Sequence, residues 1–152
     1  MATQETTMTQ DERTLEIALA MGKVFNDGDD QVARELVAPD FVDHEAPPGT
    51  PGGPEGYAGT ARWMRSVWTN ATWEIVDAFA KGDRACLRVI FSGRHDAEFM
   101  GVPATGREVK VQHIHIYRIT DGQVHEHWAV RDEANLARQL GVWDLPQPGG
   151  QR

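Results

Sequence analysis

The chain has 152 residues, of which 40% are hydrophobic and 25% charged, the size and composition of one globular domain with its own core. Its formal net charge of −8 at pH 7 leaves no basic surface to neutralise phosphates, which argues against nucleic acid and anionic membranes as partners. No apolar run approaches the roughly 20 residues of a membrane-spanning helix, and the polar first residues lack the apolar segment of a signal peptide.

The remaining composition narrows the class of protein further. The single cysteine, Cys86, can form no disulfide within one chain, so we expect a cytoplasmic protein. The sequence contains no phosphate-binding glycine loop, no dinucleotide fingerprint and no Ser or Cys nucleophile motif. Any catalysis must therefore rest on other side chains.

Three helices and a short strand are predicted in the first half of the chain. Asp11 is expected to cap the first helix, whose apolar residues recur at helical spacing. Gly28 ends that helix, because glycine adopts the left-handed cap conformation most easily. The other predicted features are a flexible tail over 1–10, a shorter helix capped by Asp29 or Asp30 and stopped by Pro39, a strand over 41–45, and a third helix that starts at Pro54.

From Trp73 onward the apolar residues alternate, which predicts strands. Turn signals at Lys81-Gly82-Asp83 and at Asp121-Gly122 join these strands into two hairpins. The predicted strands cover 73–79, 85–94, 109–119 and 124–130, the last helix covers 133–140 between an Asp132 cap and Gly141, and residues 144–152 form a flexible tail. Helices followed by a meander of strands indicate a single α+β domain over 11–143 with an antiparallel sheet.

The second hairpin contains four of the six histidines, in two His-x-His pairs: His113 with His115, and His125 with His127. Side chains two apart in a strand share a face, and the turn decides whether both pairs face the same side. A two-residue loop would place His115 opposite Trp128. A three-residue loop with a bulge at Gly122 would pair Ile119 with Gln123 and place His115 opposite His127. We favour the second register because it separates a titratable face from an apolar one.

This hairpin can be oriented in two ways. Its histidines can face solvent while its apolar face packs against the helices, as polar and apolar residues usually divide. Alternatively, the histidines line a cavity beneath the helices, and the apolar face needs a protein partner because so large an exposed apolar patch is unusual. In that case we expect a homodimer through Ile114, Ile116, Trp128 and Val130, with Val124 on the same face.

Three segments resemble the SnoaL-like polyketide cyclase (ester cyclase) family: Phe25–His44, Ser92–Arg107 and Ile116–Gly141. The resemblance extends over nearly everything from Leu15 to Leu140. It implies a cone-shaped, curved antiparallel sheet with the N-terminal helices packed over its concave face, a hydrophobic pocket between them, and a dimer formed through the sheet. It also implies the chemistry of a lyase or isomerase of antibiotic biosynthesis, an aldol closure of a polyketide ester without a cofactor or metal.

The resemblance assigns residues as well. The family uses an aspartate on the last strand as acid/base and a histidine on the preceding strand. The histidine matches His115, whereas Ala129 occupies the position of the aspartate. A partly buried imidazole can be tuned to transfer protons near neutral pH, so we predict His115 as the principal proton-transfer group and His127 as its partner.

Further residues are predicted to bind the substrate or to wall the pocket. Asp132 is expected chiefly to cap the last helix, and core packing is the ordinary role of the aromatic residues. Asp43, at the end of a strand beside His44, either faces the pocket entrance or only caps the turn. The predicted set is His44, Trp63, Phe91, Arg94, Phe99, His113, Tyr117, Ala129 and Asp132.

Two other functions stay open from the sequence. Histidines two apart on one strand and facing histidines on the next have the ligand spacing of a zinc or iron site. Ala129 in place of the family aspartate favours a protein that binds a small molecule without converting it. Our working hypothesis is a cofactor-free acid/base enzyme that acts on a hydrophobic, carbonyl-bearing, polyketide-like substrate.

Overall fold

The computed structural model describes residues 7–143. Residues 1–6 of the predicted N-terminal tail and the whole predicted tail 144–152 lie outside the described residues. No helix in the described part is long and apolar enough to cross a membrane. In chain order the elements are α1 Gln10–Ala20, α2 Gly22–Asp27, α3 Asp30–Leu36, β1 Val37–Asp43, α4 Gly53–Val67, β2 Trp68–Lys81, β3 Arg84–His95, β4 Glu108–Thr120, β5 Gln123–Arg131 and α5 Glu133–Leu140.

The N-terminal helices begin and end at residues that satisfy their free backbone groups. Thr9, and not the predicted Asp11, caps α1: the Glu12 N–H donates to the Thr9 hydroxyl, and the Glu12 carboxylate accepts from the Thr9 N–H, a capping box. Asp11 instead accepts a backbone N–H of the β2–β3 turn at 2.7 Å, which ties α1 to the sheet. The single helix predicted between Asp11 and Gly28 is two helices, α1 and α2, which meet at Met21, and Gly28 ends the second at φ 67°. Asp29 caps α3 as predicted.

The five strands form one sheet in the order β1-β5-β4-β3-β2, so the α+β class is confirmed. Strands β2 to β5 are antiparallel neighbours, whereas β1 runs parallel to β5 at the edge. The strand predicted over 41–45 begins earlier, at Val37. Pro39 therefore lies inside a strand, where an edge position tolerates its missing N–H.

Helices α1, α2 and α4 pack over the inner face of the sheet and enclose the core with it. Irregularities in the β2–β3 pairing bend the sheet around that core, since an extra residue in one strand increases its curvature. The largest fully buried apolar side chains are Met21, Val24, Val37, Trp68, Phe91 and Val124. They come from helices and strands alike, so one core joins both layers.

The β4–β5 turn is tighter than the three-residue loop that the sequence favoured. Asp121 and Gly122 form a two-residue loop with φ values of 52° and 75°, and Thr120 pairs with Gln123. Positive φ at both central residues matches the right-handed twist of the strands, and Asp-Gly suits it. On its own, this turn would have put the two histidine pairs on opposite faces.

A bulge at His125 restores a common face. Ile119 pairs with Val124 and Arg118 with Glu126, so His125 has no partner across the strand. Beyond the bulge, His115 lies opposite Ala129 and Tyr117 opposite His127. The predicted pairing of His115 with His127 is therefore wrong by two residues. A shift of two residues in the pairing leaves every side chain on the same face of the sheet. The prediction that His113, His115 and His127 share one face is therefore confirmed.

The histidine face points inward. His113, His115 and His127 are 3%, 9% and 3% exposed, whereas Ile116 and Val130 on the other face are 39% and 74% exposed. The second of the two orientations considered from the sequence is thus the one observed. The bulge changes the positions of two residues. Val124, predicted on the outer face, is fully buried. His125, predicted on the same face as the other three histidines, is only partly buried and hydrogen-bonds to Asp40 at 2.9 Å.

Candidate active site

A cavity of about 870 Å³ lies between the sheet and the helices, within the roughly 300–1,000 Å³ typical of small-molecule sites. Its wall is mainly apolar and aromatic, which suits a hydrophobic ligand. Eight of the eleven residues predicted to be catalytic or to bind the substrate line it: Trp63, Phe91, Phe99, His113, His115, Tyr117, His127 and Asp132. Asp132 also caps α5, because its carboxylate accepts the Asn135 N–H at 3.0 Å.

Three side chains on the cavity wall form a hydrogen-bonded chain. Nδ1 of His115 lies 2.9 Å from Nε2 of His127, and Nδ1 of His127 lies 2.9 Å from Oδ1 of Asp43. The parallel pairing of β1 with β5 sets Asp43 directly beside His127, and the bulge in β5 turns His127 toward His115. The sheet topology therefore assembles the chain from three different strands.

The chemistry of this chain follows from its carboxylate end. Burial raises the pKa of Asp43, but the hydrogen bond and charge of His127, together with the Glu45 N–H, outweigh it and hold that pKa below its ordinary value. Asp43 is thus a carboxylate and accepts the Nδ1–H of His127. In the neutral form of His127, Nε2 then carries a lone pair and accepts the Nδ1–H of His115.

The tautomer of His115 leaves its other nitrogen, Nε2, with a free lone pair. No described residue hydrogen-bonds to that nitrogen, and the side chain lines the cavity. Burial, with smaller contributions from His127, His113 and Arg131, holds the pKa of His115 well below its ordinary value. His115 is therefore neutral at pH 7 and can accept a proton from a molecule in the cavity.

His113 continues the same wall as a neutral group. Its ring stacks on Phe91 with centroids 5.7 Å apart, and its buried Nδ1 has no hydrogen-bond partner among the described residues. Burial, and then the charge of Arg131, lowers the pKa of His113 to about 3. His113 thus contributes an uncharged ring to the cavity wall.

We expect His113 to make the folded protein sensitive to acid. Its pKa is about 3 in the folded state against an ordinary 6.5, so at intermediate pH the unfolded chain takes up the proton and the folded chain does not. The free energy of unfolding should fall as the pH drops below the unfolded value, by about 2 kcal/mol at pH 5 from this residue. Denaturant unfolding at pH 7 and pH 5 measures this loss, which should shrink by that amount in His113→Leu. An equal loss in both proteins would contradict the assignment.

Two tyrosines close the inner end of the polar wall. The hydroxyls of Tyr57 and Tyr117 lie 3.1 Å apart and are buried. Burial raises the pKa of Tyr57 well above its ordinary value and that of Tyr117 to about 12. Both hydroxyls are therefore neutral. The ring of Tyr57 also meets His127 edge-on, with centroids 6.5 Å apart, which helps to fix the imidazole plane.

Three predicted binding residues lie outside the cavity wall. His44 follows Asp43 in the chain and points to the opposite face, where it stacks on Trp128 at 4.9 Å. Arg94 also faces outward, half-exposed and bound to both carboxylate oxygens of Asp96. Ala129 is buried opposite His115, but its methyl group does not reach the cavity. His44 and Arg94 lie outside because side chains alternate along a strand, so that the residue next to each of them points inward.

Several polar residues of the wall were not predicted from the sequence, among them Tyr57 and Arg131, and Asp43 had no definite predicted role. Strand alternation contained the signal for Arg131, which continues the inward row after His127 and Ala129. The role of Asp43 depends on the pairing of two strands distant in sequence. No group of three or more His, Cys, Asp or Glu side chains in residues 7–143 is placed to hold a metal ion.

Comparisons with known proteins agree with this architecture. The model of the SnoaL-like polyketide cyclase family matches residues 15–140, which confirms the resemblance found in the sequence. The aklanonic acid methyl ester cyclase DnrD of Streptomyces peucetius is 27% identical over 137 residues, 88% of this chain and 94% of that protein. The nogalonic acid methyl ester cyclase of Streptomyces nogalater is 28% identical over 123 residues, 80% of this chain and 92% of that protein.

Solved structures show the same fold. TsrD of Streptomyces laurentii superimposes with a TM-score of 0.78 at 29% identity, covering 86% of this chain and 96% of that one. Wild-type IdmH of Streptomyces antibioticus gives a TM-score of 0.72 at 35% identity, covering 85% of this chain and 99% of that one. The likeness thus spans almost the whole described domain.

Proposed function

The chain belongs to the SnoaL-like polyketide cyclase family, a family of cyclase-type enzymes, and we propose that it closes a ring in a hydrophobic, polyketide-like ester by an intramolecular aldol reaction. The observation that carries this proposal is the chain from Asp43 through His127 to His115, which ends in a neutral imidazole at an apolar cavity. A base of this kind suits the removal of a proton from a carbon beside a carbonyl group.

The reaction needs only groups of the protein and the substrate. Nε2 of His115 takes the proton from the carbon between two carbonyl groups, and the C–H electron pair forms an enolate. The enolate carbon then attacks a second carbonyl carbon of the same molecule, so that a C–C bond forms and the carbonyl π electrons move to its oxygen. His115 returns the proton to that oxygen, and the product is an isomer of the substrate.

Asp43 and His127 hold His115 in the tautomer that presents the Nε2 lone pair to the substrate during this cycle. When His115 gains a proton at Nε2, its Nδ1–H still donates to His127, whose own Nδ1–H donates to the Asp43 carboxylate. In this proposal Asp43, reaching in from β1, supplies a carboxylate to a site whose last strand offers only Ala129.

The ester substrates named for the relatives supply the test. Purified protein is incubated with aklanonic acid methyl ester and with nogalonic acid methyl ester, and the products are separated by chromatography with mass detection. We expect one of them to give a product of unchanged mass and altered retention and absorbance. Saturable binding of both esters without any product above the buffer control would contradict the proposal and favour a binding protein.

We also propose that two copies pair through the outer face of the sheet and that the enzyme acts in the cytoplasm, where a chain with one cysteine needs no disulfide. Ile114 lies opposite Val130 and Ile116 opposite Trp128 on that face, which forms a continuous apolar patch. Sedimentation of the wild type should show a dimer. Val130→Lys should sediment as a monomer, whereas Leu19→Lys, a matched change at an exposed apolar residue of α1, should not.

A further inference from the structure

Arg131 is a cation on the cavity wall without an acidic partner. It is the last residue of β5, it is half-buried, and no Lys or other Arg joins it among the described residues that line the cavity. No carboxylate in residues 7–143 lies within 4.0 Å of its guanidinium group, and no described residue hydrogen-bonds to it. A guanidinium group carries five N–H donors and keeps its charge at all relevant pH values.

The two aspartates of the same wall are engaged elsewhere, and its glutamates, Glu45, Glu55 and Glu133, form no ion pair with Arg131. Asp43 accepts from His127 and from the Glu45 N–H, and Asp132 accepts from the Asn135 N–H at the start of α5. The positive charge of Arg131 nevertheless acts on much of the polar wall: it affects the pKa values of Asp43, Tyr57, His113, His115 and Tyr117. Its donors are therefore available to a ligand in the cavity, close to the proposed base.

The pairing of β4 with β5 fixes the position of Arg131 relative to the two inward-facing histidines of β4. Arg131 lies directly opposite His113, and His115 is the next inward residue of the same strand. Direct and diagonal cross-strand neighbours are close enough for long side chains to contact one common group. His113 lines the same cavity from the position opposite Arg131.

We infer that Arg131 binds the carbonyl oxygen of the substrate that becomes negative when His115 removes the neighbouring proton. This inference rests on the proposed function and narrows its substrate to compounds with an enolisable ketone or β-dicarbonyl group. As the C–H bond breaks, the proton goes to Nε2 of His115, the C–H pair becomes the C=C bond, and the carbonyl π pair moves to the oxygen beside Arg131. A fixed cation in an apolar cavity stabilises such a charge strongly.

The test uses a planar phenol whose ionisation is visible and which needs no turnover. Alizarin, a dihydroxyanthraquinone, presents a phenolate oxygen that resembles an enolate, and its absorbance changes when the phenol ionises. We expect wild-type protein to lower the pKa of bound alizarin by roughly one unit or more, as an opposite charge nearby does. Arg131→Met should abolish this shift and Arg131→Lys should retain part of it.

One further variant is the matched control. Lys110→Met removes one charge from an exposed position of the same strand pair and should leave the shift unchanged. Equal shifts in the wild type and Arg131→Met, or no saturable binding of alizarin by the wild type, would overturn the inference. A shift without turnover of either ester would support the oxyanion site at Arg131 and refute the cyclase proposal. Turnover without a shift would support the cyclase proposal and refute the oxyanion site.

Discussion

Replacing His115 by alanine should lower kcat for ring closure by about 10³-fold, within the range of roughly 10²–10⁴ that general bases contribute. The variant loses the only nitrogen that the described chain of hydrogen bonds presents to the cavity as a free lone pair. KM should change little, because the apolar wall remains and the imidazole acts mainly after the substrate is bound. Steady-state kinetics with whichever methyl ester is converted measures both constants.

His125→Ala is the matched control for this prediction. His125 belongs to the same hairpin and also hydrogen-bonds to an aspartate, Asp40 at 2.9 Å, but it does not line the cavity. Its removal should leave kcat within about twofold of the wild type, since surface substitutions seldom alter a site. If His115→Ala kept a kcat similar to that of His125→Ala, His115 would not be the base.

Replacing Asp43 by asparagine should lower kcat by about 10²-fold or more without unfolding the protein. Asparagine has the same shape, but its amide N–H₂ can face Nδ1 of His127 and donate to it. His127 would then carry its proton on Nε2 and donate to His115, which would move the lone pair of His115 away from the cavity. In other histidine-based sites, replacing the carboxylate that orients the imidazole leaves the wrong tautomer and lowers kcat to a comparable degree.

Asp40→Asn is the corresponding control. Asp40 and Asp43 lie on the same strand, and each accepts from a histidine of β5 at 2.9 Å, but only Asp43 is on the cavity wall. The pH dependence of kcat should change in Asp43→Asn and not in Asp40→Asn. Equal activity in the two variants would show that the carboxylate does not orient the histidines.

Local pattern was enough to predict the helix and strand types and the face that carries the histidines. Asp29, Asp132 and Gly141 mark helix ends through bonds that reach only a few residues, and such bonds can be read from the sequence. Apolar and titratable side chains alternate along β4 and β5. Because successive side chains of a strand point to opposite faces, this alternation showed which residues share a face.

The pairing partners across the sheet could not be predicted in the same way. Nothing in the sequence around His125 distinguishes a bulged residue from a paired one, so the register of β5 stayed open by two residues. Asp43 and His127 meet across 84 positions of the chain, a contact that only the complete sheet creates. The choice between Asp43 and its neighbour His44 depended on the start of β1, and strand ends are the least predictable feature.

The edge position of β1 has a consequence for when the protein becomes active. This strand joins the sheet only through β5, so its docking brings together Asp43 and His127, 84 positions apart, and contacts between distant segments form slowly on folding. A chain that has folded β2 to β5 but not yet docked β1 would already bring His115 and His127 together. It would lack the carboxylate that sets their protons, and catalytic competence would therefore be acquired after most of the cavity has formed.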